Sequence, residues 1–122
     1  MKIAIGSDHR GYYLKPEILQ EVRKLGHEIK DFGSFDEKQV DYPDYALPVA
    51  SAVAKGEYDC GILICGTGIG MSVAANKIKG IRAARCQDCF SAKMARQNNN
   101  ANILCLGGMV IGPGLAREVV RA

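Results

Sequence analysis

Several things are missing from this sequence, and each absence removes a class of function. There is no apolar run approaching the roughly 20 residues that cross a bilayer, so no spanning helix is expected. There is no block of like charge. Sixteen basic and 13 acidic residues leave a net charge of +3, and the basic residues are scattered, which excludes the electrostatic footprint of a nucleic-acid binder. Signal-peptide architecture is absent too, because Met1-Lys2-Ile3-Ala4-Ile5-Gly6 enters a strand pattern at once. The expected location is the cytoplasm. Internal repeats, linkers and low-complexity stretches are lacking beyond Asn98-Asn99-Asn100. An even cysteine count is lacking as well: the five cysteines read as free thiols of a reducing compartment rather than a disulfide framework.

What is present fits one globular domain spanning all 122 residues, with 48% hydrophobic and 24% charged residues. Strand and helix patterns alternate. Lys2 to Ser7 reads as a strand, followed by a loop Ser7-Asp8-His9-Arg10-Gly11. A helix then buries Leu14, Ile18, Val22 and Leu25 on one stripe, with Pro16 early and Gly26 as its stop. Strands follow at 27–32, 59–65, 81–86 and 102–106. Helices are expected from about 44 to 55, from Met71 to near Gly80, from 91 to 98 and from Pro113 to the last residue. The pattern predicts an α/β, three-layer, Rossmann-like fold: a five-stranded parallel sheet of order 2-1-3-4-5 with helices on both faces. Strands one and three are then neighbours at the switch point, where ligands bind outside the carboxyl ends of the strands.

The richest stretch is Ile62-Leu63-Ile64-Cys65-Gly66-Thr67-Gly68-Ile69-Gly70. An apolar strand buried on both faces breaks into glycines and restarts as a helix. Backbone N–H groups there form a cradle for an anion or a developing oxyanion. The glycines are spaced too closely for a dinucleotide fingerprint, and the Lys-Ser/Thr pair of a P-loop is absent. Cys65 closes the strand facing the cradle. A thiol beside a helix N-terminus can ionise near neutral pH and serve as general base or nucleophile; spacing alone does not choose between them. Thr67 adds a hydroxyl that can pass or orient a proton. Asp8 and His9 reach the same switch point, where they can contact hydroxyls or phosphate. Cys60 and Cys105 read as structural thiols, and Cys86-Gln87-Asp88-Cys89 is a lone C-x-x-C with no partner pair for a metal. No metal or other cofactor is expected. Asn98, Asn99 and Asn100 read either as a helix end or as hydroxyl-binding amides.

Taken together, Gly6-Ser7-Asp8-His9, Asp41-Tyr42-Pro43, Ile64-Cys65-Gly66-Thr67-Gly68-Ile69-Gly70, Ala75-Asn76-Lys77 and Ala101-Asn102 resemble the type B ribose-5-phosphate isomerases. Those sit with the galactose-6-phosphate isomerase subunits among the sugar-phosphate isomerases, and the resemblance covers essentially the whole chain. It implies interconversion of ribose 5-phosphate and ribulose 5-phosphate through an enediolate, without metal or nucleotide. Cys65 matches the base, Gly66, Gly68, Ile69 and Gly70 the oxyanion and hydroxyl cradle, and Thr67 a residue assisting proton shuffling or ring opening. Asp8, His9, Tyr42 and Asn99 match substrate contacts. The implied assembly is a homodimer or tetramer with active sites shared between subunits, acting on a small sugar phosphate. The family often has histidine as ring-opening acid where this chain has Asn98, and usually arginine where it has Met109. Family members also usually continue past Ala122 into a segment bearing phosphate-binding arginines. The alternatives are an isomerase of a hexose 6-phosphate (galactose 6-phosphate) or of a free aldose (the allose/psicose pair), and a non-catalytic sugar-phosphate-binding relative.

Overall fold

A computed structural model describes residues 1–35 and 38–122. It contains five parallel strands and five α-helices: β1 (Lys2–Ser7), α1 (Lys15–Lys24), β2 (Glu28–Asp31), α2 (Pro43–Ala54), β3 (Cys60–Cys65), α3 (Ile69–Ala75), β4 (Ala83–Arg85), α4 (Cys89–Asn99), β5 (Ile103–Gly107) and α5 (Pro113–Arg121). A short 3₁₀ turn at Tyr12–Leu14 leads into α1.

The sheet order is β2-β1-β3-β5-β4. The expected neighbour relation of β1 and β3 is present, with Ser7 opposite Ile64. The expected order of the last two strands is reversed: β5, not β4, pairs with β3, placing Cys65 opposite Gly107. The physical reason lies in the side chains. The β5 run Ile103-Leu104-Cys105-Leu106 is apolar throughout and suits a strand covered on both faces. The three-residue β4 ends in an exposed arginine and suits an edge.

The pleat sends alternate residues into two cores. Ile3, Ile5, Ile62, Ile64 and Leu106 face α1, α4 and α5. Ala4, Leu63, Cys65, Ile103 and Cys105 face α2 and α3. Leu14, Ile18 and Val22 are buried as their spacing predicts, but Leu25 is 44% exposed because α1 stops at Lys24 and Gly26 turns the chain away. Among the described residues, no helix is long and apolar enough to cross a membrane.

Candidate active site

Three loops meet at the carboxyl ends of β1, β3 and β5. The β1 loop is pressed onto β3: the Asp8 N–H donates to the Ile64 carbonyl at 3.1 Å, and a Cβ on Gly11 would lie 2.5 Å from that same oxygen. Only glycine fits there, so the sequence itself docks the Asp8–His9 corner against the end of β3. The β5 loop closes the other side. Gly108 N–H donates to the Cys65 carbonyl at 2.7 Å and Met109 N–H to the Gly66 carbonyl at 3.0 Å. The Tyr13 hydroxyl, from the 3₁₀ turn, donates to the Gly108 carbonyl.

At the centre stands Cys65. It is 5% exposed, and its Sγ accepts a hydrogen bond from the Gly68 N–H at 3.1 Å. Gly68 has φ of +85°, a left-handed conformation that disfavours any other residue and that turns its N–H back toward the sulfur. Thr67 is exposed at the tip of the turn; its Oγ1 accepts from the Ile69 N–H at 3.2 Å, which leaves the hydroxyl proton free to donate outward. α3 begins directly after the turn, at Ile69 rather than Met71, and is seven residues long, ending at Ala75 instead of near Gly80.

The remaining candidates divide into two groups. Asp8 is buried, and its Oδ1 accepts from the amides of Arg10 (2.9 Å) and Gly11 (3.1 Å), so one carboxylate oxygen is committed to shaping the loop. His9 accepts at Nδ1 from the Val40 N–H at 3.2 Å, which assigns the ring proton of the neutral imidazole to Nε2 and makes that nitrogen a donor. Tyr42 packs its ring on Gly70, where a Cβ would lie 2.9 Å from Cε1. These three, with Cys65 and the 66–70 turn, form one cluster. Asn98 and Asn99 do not join it within one chain. They end α4, which runs about 16 Å from the carboxyl end of the sheet back to the amino end. There the Asn99 carbonyl accepts from Arg82 at 3.0 Å, Asn98 is exposed, and Asn100 takes the left-handed cap with φ of 51°.

Two residues at the site escaped sequence reasoning. Arg85 Nε donates to the Thr67 carbonyl at 2.6 Å, and Gln87 Nε2 donates to the same oxygen at 3.0 Å. The available signal was positional: polar side chains closing a strand at the carboxyl end of a parallel sheet. Three of the other thiols sit in desolvating surroundings. Burial pushes Cys60, Cys86 and Cys105 above the ordinary thiol range, Cys105 most strongly. No group of three or more His, Cys, Asp or Glu able to hold a metal ion occurs among the described residues.

The family model described as Ribose/Galactose Isomerase matches residues 3–122. The chain is 50% identical over 121 residues to a protein of Escherichia coli named ribose-5-phosphate isomerase B, covering 99% of this chain and 81% of the relative. It is 46% identical over 125 residues to the D-erythrulose-4-phosphate isomerase of Pectobacterium atrosepticum, covering 100% of this chain and 81% of that one. Among solved structures, ribose-5-phosphate isomerase B of Clostridium thermocellum superposes with a TM-score of 0.97 at 55% identity, covering 99% of this chain and 82% of that chain.

Proposed function

This chain belongs to the Ribose/Galactose Isomerase family, and from that premise we propose that its 122 residues are a single isomerase domain interconverting ribose 5-phosphate and ribulose 5-phosphate. The observation that carries the reading is the sulfur of Cys65, held by the Gly68 N–H at the switch point beside the Asp8–His9 corner. In the open-chain aldose, the Cys65 thiolate removes the C2 proton. The electron pair moves into a C1–C2 double bond and the carbonyl oxygen takes up negative charge. Backbone N–H groups of the 66–70 turn other than those of Gly68 and Ile69, which donate to Cys65 and Thr67, stabilise that oxygen together with the Thr67 hydroxyl. The same sulfur returns the proton to C1, a proton moves from the C2 hydroxyl to the C1 oxygen, and the ketose results. His9 offers its Nε2–H to the phosphate or a hydroxyl, and Tyr42 walls the pocket.

Asn98 and Asn99 reach such a pocket only from a second copy of the chain, which supports a homodimer with shared sites. Asn98 carries no transferable proton near neutral pH, so ring opening falls to Thr67, His9 or water. No metal or cofactor takes part in this reading, and a soluble cytoplasmic enzyme of sugar-phosphate metabolism suits its chemistry.

The test is Cys65→Ala. Exchange of the C2 proton with solvent and net isomerisation fall about 10³-fold, while circular dichroism reports the same fold. Retained exchange removes cysteine from the mechanism. A second reading changes only the sugar: a relative at 46% identity is named for a four-carbon substrate, D-erythrulose 4-phosphate. Rates on ribose 5-phosphate, D-erythrulose 4-phosphate, allose 6-phosphate and free allose decide between them.

A further inference from the structure

The Thr67 carbonyl and the Gly68 N–H are two ends of one peptide group. Its N–H is 3.1 Å from the Cys65 sulfur. Its oxygen is gripped by Arg85 Nε at 2.6 Å and Gln87 Nε2 at 3.0 Å. We infer that Arg85 and Gln87 are positioning residues for the Cys65 sulfur, acting through this single peptide. The inference deepens the reading of Cys65 as the base and rests on it.

Two physical effects work along that line. The first is orientation. A peptide preceding a glycine can rotate about its own axis, because no Cβ opposes the flipped state. A flip at 67–68 would present an oxygen, not an N–H, to the sulfur. Two donors on the Thr67 oxygen, one from the last residue of β4 and one from the loop after it, hold the productive face. Space reinforces them: a Cβ on Gly107 would stand 2.7 Å from that oxygen and 2.9 Å from Gln87 Nε2, so the three groups are in tight mutual contact. The arginine stem also lies along Gly68, its Cγ 3.3 Å from where a Cβ would be. The second effect is charge. A guanidinium at the oxygen end of a peptide dipole and a thiolate at its N–H end are aligned favourably, and donors on the oxygen strengthen the N–H as a donor in turn.

The Gln87 amide adds an independent sign. Its Oε1 is buried with no hydrogen-bond partner among the described residues. Turning the amide over would set Oε1 against the Thr67 carbonyl, acceptor against acceptor, so the orientation is fixed. A buried orphan acceptor is costly, and here it accompanies the grip on the Thr67 oxygen.

The experiment uses the full chain. Arg85→Met keeps the stem and removes the donors and the charge; Arg85→Lys restores a charged donor. Three quantities are read: kcat and KM on ribose 5-phosphate, and the rate of iodoacetamide alkylation of Cys65 at pH 7, followed on its own peptide by mass spectrometry with Cys89 as internal control. Arg85→Met lowers kcat and Cys65 alkylation each about tenfold, with KM changed by less than about twofold, while Arg85→Lys recovers most of both. An Arg85→Met protein with unaltered Cys65 alkylation overturns the inference, as does a loss that Arg85→Lys repeats in full. Should Arg85→Met not fold, Gln87→Met carries the same test with an expected fall of about threefold. The two assignments fail separately. If Cys65→Ala keeps exchange while Arg85→Met still slows alkylation, the base assignment falls and the clamp stands. If Cys65→Ala loses exchange while Arg85→Met changes nothing, the clamp falls and the base stands.

Discussion

At the carboxyl end of the sheet the strands finish in Ser7, Cys65, Arg85 and Gly107, and the loops beyond them are pinned by amides donating to carbonyls, a carboxylate and a sulfur. At the amino end the same strands form one wall, and α1, α4 and α5 the other, of a largely apolar cavity of about 300 Å³, lined by Ile3, Val22, Cys60, Ile62, Ala84 and Val119 among others. None of Asp8, His9, Tyr42, Cys65 or Thr67 lines that cavity. The glycines differ in the same way. Gly11, Gly107 and Gly108 at the carboxyl end leave no space for a Cβ, whereas Gly26, Gly56 and Gly80, each past the end of a helix, have positive φ and nothing within 4 Å. Gly11, Gly107 and Gly108 bring backbones together; Gly26, Gly56 and Gly80 turn the chain. Close backbone approach, rather than cavity size, marks the chemical end of this sheet.

The sharpest way to break that contrast uses one strand. β3 carries Cys60 at its amino end and Cys65 at its carboxyl end. Cys65→Ala lowers kcat about 10³-fold; Cys60→Ala, in a thiol that burial already pushes above its ordinary range, leaves kcat within about twofold of the parent. Steady-state rates on ribose 5-phosphate read both. Equal losses would mean that the two ends are not chemically distinct.

The glycines give a smaller, purely structural test. In Gly11→Ala the new Cβ meets the Ile64 carbonyl oxygen at 2.5 Å, so the β1 loop must lift from β3. The cost is about 3 kcal/mol, with a fall in Tm of about 12 °C. In Gly26→Ala only the left-handed backbone, φ of +88°, opposes the methyl group, and the cost is about 1 kcal/mol, with a fall of about 4 °C. Thermal unfolding of the pair measures the difference, and similar losses would mean that the carboxyl-end contacts yield.

Much of this was legible in the residues. β1 runs from Lys2 to Ser7 as its pattern predicts, and the glycines after Cys65 place the thiol at a strand end because apolar runs and glycine breaks are local signals. The exchange of β4 and β5 was not read, since strand neighbours are chosen by long-range burial; the continuous apolar run of β5 against the arginine-terminated β4 was the cue. Arg85 and Gln87 were missed for a related reason. Their partner is a backbone oxygen 18 and 20 residues away, and a backbone acceptor leaves no trace in sequence. Leu25 fits the helical stripe yet is exposed, because the stripe continues one residue past Lys24, where α1 ends.

The finest probe of the two ends is acid. At the amino end, Glu21 of α1 accepts from Arg121 of α5 at 2.8 Å, and this hydrogen bond holds its carboxyl below the usual range. At the carboxyl end, Asp88 caps α4 by accepting from the Ser91 amide at 2.7 Å and the Ser91 hydroxyl at 2.8 Å, and the amide bond foremost holds it low. A carboxyl that binds its proton less tightly when folded adds stability that is fully present above the unfolded value, near pH 4, and is lost as pH falls through the lower folded value. Both groups therefore steepen the loss of Tm below about pH 4. Asp88→Asn keeps a good helix cap, so Tm at pH 7 stays close to the parent while part of the acid slope disappears. Glu21→Gln removes the charge from a link between two helices and lowers Tm slightly at pH 7 as well, because the partner arginine is half exposed and such pairs are weak. Melting curves from pH 7 down to pH 3 separate the local cap from the tie between helices; an unchanged acid slope in both variants would mean that neither carboxyl contributes to the acid sensitivity of the fold.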